Sequence, residues 1–368
     1  MDKERFLDTY AAGLDQLVRI SSEAGSRKDY VQGGGGNTSA KLDERWMAVK
    51  ASGYRLGQVT VDEAYAVLDY QALRAFFRDQ ANLPAADIEA EGARAVRESI
   101  LTIDRMPARR PSVEAGFHAL LGTCVLHTHS VYANLVCCSD SPRELGAQVM
   151  QPLGLAWGFV PYIDPGTRLS FAIAAEAARV EGEMGAQPAV LFMQNHGIIV
   201  SAPDADACLA IHDRVNLRLA ELFGVQPGDW PEPMISEEED VIGSGYQSAT
   251  PWLRKRLAGW SRPDPLLSVL SSDALYPDQL VYLSGKVAFT GKPACRIDPA
   301  TGDVAYSCGE NEARTIEETL CAVLFIYETL ERAGRRIQPM DASAKAFIAG
   351  WESESYRKTI TAGGENAK

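Results

Sequence analysis

A chain of 368 residues, 46% hydrophobic and 23% charged, has the material for one large or two ordinary globular domains, and it holds no apolar run long enough to cross a bilayer. The net charge of −13, with no basic stripe interleaved with aromatics, argues against a nucleic-acid surface. Seven scattered cysteines without a CxxC and a charged start (Met1-Asp2-Lys3-Glu4-Arg5) lead us to expect reduced thiols in a cytoplasmic protein, with no signal peptide and no membrane partner.

Residues 5–24 are expected to form a helix with Phe6, Leu7, Tyr10, Leu14, Leu17, Val18 and Ile20 on one broad apolar stripe. The run Gln32-Gly33-Gly34-Gly35-Gly36-Asn37-Thr38-Ser39 follows. Four successive glycines suit a loop whose backbone can approach a ligand closely. Residues 46–50 read as a short strand ending in the turn Ala51-Ser52-Gly53. Two helical patterns cover 62–80 and 87–104, the first carrying Ala64, Val67, Leu68, Leu73, Phe76 and Phe77. After the breakers Pro107 and Pro111, a helix entered through Ser112 covers 112–121 and runs into the apolar strand 123–126. Another strand, 189–193, precedes Gln194-Asn195-His196-Gly197, and a further helix covers 205–223. Residues 226–265 then hold six prolines and the acidic run Glu237-Glu238-Glu239-Asp240, which reads as a connector or lid. Strands are expected at 280–283 and 286–289, and helices at 310–333 and 340–358. The chain divides on this reading into a large unit over 1–225, a Pro-rich connector over 226–264 and a smaller α/β unit over 265–368.

Chemistry concentrates first at His127-Thr128-His129. Side chains two apart on a strand share a face, so both imidazoles can bind one metal ion. The chain has only five histidines, and a third, His196, follows another strand. Three histidines without a cysteine cluster describe an open catalytic zinc-type site; for the HxH alone, partly buried core histidines are the bland alternative. Glu114, at the start of the helix before the pair, can bring a carboxylate to the same pocket as an acid/base. It can equally be a first-turn acid facing the helix dipole, with His118 as its i+4 neighbour. The glycine loop lacks the Gly-Lys-Ser/Thr of a Walker loop and the strand of a dinucleotide fingerprint. That leaves a nest of N–H groups beside Asn37, Thr38 and Ser39, suited to an oxyanion, or else a flexible turn.

Taken in order, Gly36-Asn37-Thr38-Ser39, Ala51-Ser52-Gly53, Pro111-Ser112-Val113-Glu114 with His118, His127-Thr128-His129 and Asn195-His196-Gly197 resemble the class II aldolase/adducin family over roughly 5–225. The segment Pro161-Tyr162-Ile163-Asp164-Pro165-Gly166-Thr167 resembles the family's stretch between the second and third histidines. The whole chain is most similar to the longer rhamnulose-phosphate-aldolase-like members, on the start Pro277-Asp278 of the C-terminal region and on residues 351–357 near the end. Many such relatives carry a fused short-chain dehydrogenase, for which this length is expected to leave no room.

The resemblance implies an α/β fold: a class II aldolase-like three-layer α/β/α domain around a mostly antiparallel central sheet, plus a smaller C-terminal α/β domain. It implies a lyase that performs reversible retro-aldol cleavage of a ketose, in the first instance a ketose phosphate, through a metal-stabilised enediolate. His127, His129 and His196 become ligands of a divalent metal, usually zinc, with manganese, cobalt or magnesium as alternatives. Glu114 becomes the acid/base and Tyr162 the candidate acid for the leaving aldehyde. Gly36, Asn37, Thr38, Ser52, Gly53 and Ser112 become the substrate-binding set. A sugar or sugar-phosphate partner and a homo-oligomer, with a tetramer favoured, are implied as well. Val113 stands where several family members have a second serine, and Ala51 where a Thr or Pro is often found, which leaves Lys50 or the glycine-loop amides to hold a phosphate, or an unphosphorylated substrate. The same metal site serves sugar-phosphate epimerases, dehydratases and decarboxylases of the family, and a non-catalytic adducin-like scaffold is a further alternative.

Overall fold

The computed structural model describes residues 1–79, 87–226, 228–238, 245–258 and 263–350. Its centre is a seven-stranded sheet of β1 (Asn37–Lys41), β2 (Trp46–Lys50), β3 (Tyr65–Asp69), β4 (Cys124–Thr128), β5 (Trp157–Val160), β6 (Val190–Met193) and β7 (Gly197–Ala202). The strand order is β3-β2-β1-β4-β7-β6-β5, antiparallel throughout except for the parallel pair β5 and β6. Helices cover both faces, giving the expected three layers. One face carries α1 (Lys3–Ser26), packed through Phe6, Leu14, Leu17 and Ile20. The other carries α2 (Tyr70–Arg78), α3 (Ile88–Glu98) and α4 (Ala115–Leu120). Further along the chain, α5 (Val131–Cys137), α6 (Pro142–Met150) and α8 (Ala205–Leu222) join the α1 face, while α7 (Thr167–Met184) joins α2 and α4. Strand alternation assigns the two cores. Leu126, Val200 and Phe192 face one way, and Val125, Ile199 and Leu191 the other.

A second, five-stranded sheet is built from β8 (Ile235–Glu238), β9 (Gly245–Ser248), β10 (Val287–Ala288), β11 (Cys295–Ile297) and β12 (Val304–Tyr306), in the order β10-β11-β12-β9-β8. With it go α9 (Pro251–Ala258), α10 (Pro263–Ser271), α11 (Pro277–Leu283), α12 (Glu310–Arg332) and α13 (Ala342–Gly350). Fifteen of the 23 residues of α12 are buried, and one apolar cluster runs without a break from Phe6 and Leu126 through Cys138 to Leu320 and Ile326. All seven cysteines are free, six of them buried. No helix among the described residues is long and apolar enough to cross a membrane.

Three local readings change. Residues 65–69, expected inside a helix, form β3, because alternate pairing with β2 outweighs a pattern that fits a helix stripe equally well. Residues 280–283, expected as a strand, lie in α11, where Pro277 at the first helical position starts the helix. The Pro-rich stretch 226–264 contributes β8, β9 and α9, whose Leu253 and Leu257 are fully buried. The helix expected over 340–358 is seen as α13, and its remainder, like residues 351–357 and part of the acidic run, lies outside the described residues.

Candidate metal and catalytic site

Antiparallel pairing sets Asn37 of β1 opposite His127 of β4, so the two side chains share one face of the sheet. His129, two residues on, follows on that same face. His196 sits at the tip of the hairpin between β6 and β7, where Asn195 adopts a left-handed backbone (φ +50°) and the His196 N–H donates to Met193 O at 3.2 Å. Donor atoms of His127, His129 and His196 all lie within 4.8 Å of one another, and all three residues are buried.

The partners of the rings fix their tautomers. His127 Nδ1 lies 2.9 Å from the carbonyl of Ile198, and His129 Nδ1 lies 2.6 Å from Asp278 Oδ2. Both partners only accept, so each Nδ1 carries the proton and each Nε2 presents a bare lone pair. Those two Nε2 atoms face each other at 3.1 Å. Two lone pairs so close repel unless a cation lies between them, and a second acceptor behind each ligand is the arrangement found behind metal-bound imidazoles. The donor set therefore fits a divalent ion. Burial pushes His127 well below its ordinary pKa despite the nearby Glu114, which keeps the ring neutral and able to ligate.

Glu114 stands one residue before α4 rather than inside it, at the helix N-terminal flank. Its carboxylate reaches His196 Nε2 at 3.2 Å and His127 Nε2 at 3.8 Å. Asn37 Nδ2 donates to Glu114 Oε2 at 2.6 Å and to Ser112 Oγ at 3.2 Å. The orientation of that amide is set from behind by His118. Its Nδ1 accepts from Ser39 Oγ at 2.8 Å, so its Nε2 donates to Asn37 Oδ1. Burial drives His118 down to about 3, so it serves as a neutral relay between Ser39 and Asn37. The sequence singled it out only as a neighbour of Glu114.

The remaining expected residues divide. Residue Ala51 bridges to Pro111 and Ser52 N–H donates to Arg110 O at 2.8 Å, which brings Ser52 and Gly53 beside Ser112. Gly36 abuts β4 so closely that a Cβ there would lie 2.6 Å from His127 O, and its φ of +68° lies in the left-handed region that favours glycine. Thr38 departs from the expectation. It points to the opposite sheet face, where its hydroxyl pairs with Ser21 of α1 at 2.6 Å. Tyr162 is also engaged elsewhere: its hydroxyl donates to Asp164 at 3.1 Å, and its ring packs against the cluster of Met340 and Ile348. A different tyrosine, Tyr276, lies edge-on to the His129 ring with centroids 6.2 Å apart, fully buried, its hydroxyl without a hydrogen-bond partner among the described residues.

Residues from the C-terminal region complete this site, and the sequence did not assign them to it. Besides Asp278, the Leu275 and Gln338 carbonyls accept from Asn195 Nδ2 at 2.8 and 2.6 Å and so brace the His196 hairpin. The glycine loop, read from the sequence as either an anion nest or a flexible turn, is closed from the same side. Gly33 N–H donates to Glu318 at 2.7 Å and Gly34 N–H to the Tyr282 hydroxyl at 3.2 Å.

Among curated proteins, the "Uncharacterized oxidoreductase YuxG" of Bacillus subtilis (strain 168) is 26% identical over 305 residues, which cover 73% of this chain and 41% of that protein. The chain therefore spans less than half the length of that relative. Solved structures of similar fold include the N-terminal class II aldolase domain of a conserved protein from Thermoplasma acidophilum, with 22% identity, a TM-score of 0.46, and coverage of 56% of this chain and 92% of that one. A sugar-phosphate aldolase from Thermotoga maritima matches at 12% identity and a TM-score of 0.42, over 60% of this chain and 96% of that one. The family model described as "Class II Aldolase and Adducin N-terminal domain" matches residues 15–216, more than half of the chain, and the protein belongs to that family.

Proposed function

We propose that the protein is a metal-dependent aldolase that reversibly cleaves a carbon–carbon bond of a ketose. The observation that carries this reading is a carboxylate, Glu114, held within 3.2 Å of one of the three clustered histidines and oriented by Asn37. His127, His129 and His196 would hold the ion, and three neutral imidazoles suit zinc. When bound, such an ion supplies Lewis acidity toward a substrate carbonyl and its neighbouring hydroxyl. The protein's own residues do the rest. Glu114 exchanges the proton of the three-carbon fragment, a role typically worth about 10²–10⁴-fold in rate. Asn37 keeps that carboxylate aimed and hydrogen-bonded, and His118 keeps Asn37 from flipping. Ser112, Ser52 and Gly53 lie together at the mouth of this arrangement and bind the sugar. Burial of Glu114 and the three histidines keeps water from the reacting carbons.

Incubation of the zinc-loaded protein with pooled ketoses and ketose phosphates tests the reading. Release of dihydroxyacetone or its phosphate, with the matching aldehyde, supports it. An epimer or a dehydrated product formed without cleavage would assign the protein to the other enzyme classes that share this family.

A further inference from the structure

The glycine loop already contains an anion. Glu318 reaches it from α12, 285 residues along the chain, and its Oε2 takes the Gly33 N–H at 2.7 Å. Arg55, two residues beyond Gly53, places Nη1 3.0 Å from both Glu318 oxygens, and Lys28 Nζ lies 3.7 Å from one of them. The second Arg55 nitrogen donates to Thr315 Oγ1 at 2.8 Å, one helical turn before Glu318. The carboxylate is thus held by one backbone amide and two cations, and its side chain is 7% exposed. The other loop amides are used as well, Gly34 by the Tyr282 hydroxyl and Gly35 by Gln32 O at 3.0 Å. Little space remains: a Cβ on Gly33 would fall 2.6 Å from Thr315 Cγ2 and 3.1 Å from the Tyr282 ring. A Cβ on Gly35, two residues on, would lie 3.0 Å from His129 Nδ1, so this filled cradle borders the metal ligands.

We infer that Glu318 determines substrate specificity: the protein's own carboxylate occupies the anion cradle beside the metal ligands, so the ketose it takes carries no phosphate at the end that meets the glycine loop. The inference rests on the cleavage reading for its substrate class but not for its occupied cradle. A substrate phosphate would have to displace a buried carboxylate that Arg55, Lys28 and the Gly33 amide already hold, or sit beside a like charge.

Two measurements test it on the full-length, zinc-loaded protein. In calorimetric titration with inorganic phosphate, Glu318→Ala, which leaves Arg55, Lys28 and the Gly33 amide facing an open cradle, should bind at least ~10-fold more tightly than wild type. Glu318→Gln keeps the side-chain volume and removes only the charge. It should show a smaller gain in the same direction and carries the test if the alanine variant does not fold. In paired turnover assays, wild type should favour a free ketose over its 1-phosphate by ~10-fold or more in kcat/KM, and Glu318→Gln should narrow that ratio. Wild type that binds phosphate as tightly as both variants, or that cleaves the phosphorylated ketose faster, overturns the inference. Phosphate binding gained only in the variants, with no ketose cleaved by any of them, would uphold the filled cradle and bring down the aldolase reading instead.

Discussion

Replacing Asp278 with asparagine removes one negative charge from behind His129 while keeping an oxygen that can accept the Nδ1 proton. The bond in question is 2.6 Å long and joins two buried side chains. A hydrogen bond to a charged group contributes roughly 1.5–3 kcal/mol and a neutral one about 0.5–1.5. Loss of the charge should therefore cost about 1–1.5 kcal/mol of metal affinity, close to ~10-fold. Asp278→Ala removes the acceptor as well and leaves a buried N–H to be satisfied, so its loss should approach ~100-fold, the upper end for groups behind metal ligands. Competition against a chelating zinc indicator at neutral pH measures both, and urea unfolding of the metal-free variants checks that α11 stays packed. Gly35→Ala should reach the same end by another route, because a Cβ there would collide with the Asp278 carboxylate. Combined with Asp278→Ala, it should add far less than its separate effect. An asparagine variant that binds zinc within about twofold of wild type would refute the idea that Asp278 orients the ligand.

Glu114→Gln should keep zinc at full occupancy and lose about 10²–10⁴-fold in kcat, which single-turnover kinetics with elemental analysis will check; unchanged turnover removes Glu114 from the chemistry. Acid should destabilise the fold through its buried neutral histidines. His118 and His212 are pushed down to about 3 by burial, so below the unfolded value near 6.5 the unfolded chain takes up protons that the native state refuses. Their contribution is complete above pH 6.5 and fades as pH falls toward 3, each group costing about 1.4 kcal/mol at pH 5.5. A His212→Gln variant should therefore lose less stability between pH 7.5 and 5.5 than wild type by about that amount, read from urea unfolding at fixed ionic strength; an unchanged drop would contradict the burial argument. Tyr276→Phe should leave unfolding stability unchanged or raise it by up to about 1 kcal/mol, since its buried hydroxyl has no hydrogen bond to lose among the described residues. A marked destabilisation would mean that the hydroxyl is satisfied after all.

What the sequence reveals is local. The spacing of His127 and His129 needs only strand alternation to put both rings on one face, and the strand before His196 is an uninterrupted apolar run. The same logic misreads 280–283, where apolar residues on every side fit a buried strand and a buried helix alike. Pro277 is the one local signal that favours the helix. Thr38 follows from parity: if Asn37 faces His118, its neighbour must face α1. Asp278 and Glu318 have no such local signature, because their partners lie 149 and 285 residues away. The hint available was charge in the wrong place. An aspartate within an apolar run and a glutamate within the buried stripe of α12 each need a partner once desolvated. The sequence shows that a partner is needed but cannot say which.

Those two acids bear on how the family-matched region holds its shape. The family-matched region, residues 15–216, supplies every expected ligand, yet the loops that carry them are closed by groups beyond it. Asp278 takes the proton of His129, Leu275 and Gln338 take the amide of the left-handed Asn195, and Tyr282 and Glu318 take the glycine-loop amides. A loop with four successive glycines has much conformational entropy to lose on ordering, and a hairpin tip with positive φ stores strain. Neither has enough apolar contact of its own to offset these costs. Buried polar bonds to α11, α12 and the segments just outside them at Leu275 and Gln338 supply that offset, and the uninterrupted apolar cluster that joins the two sheets fixes those helices in place. The C-terminal region therefore acts as the outer wall of the candidate metal site, so substitutions on the inner faces of α11 and α12 should alter metal binding without touching any of the three histidines.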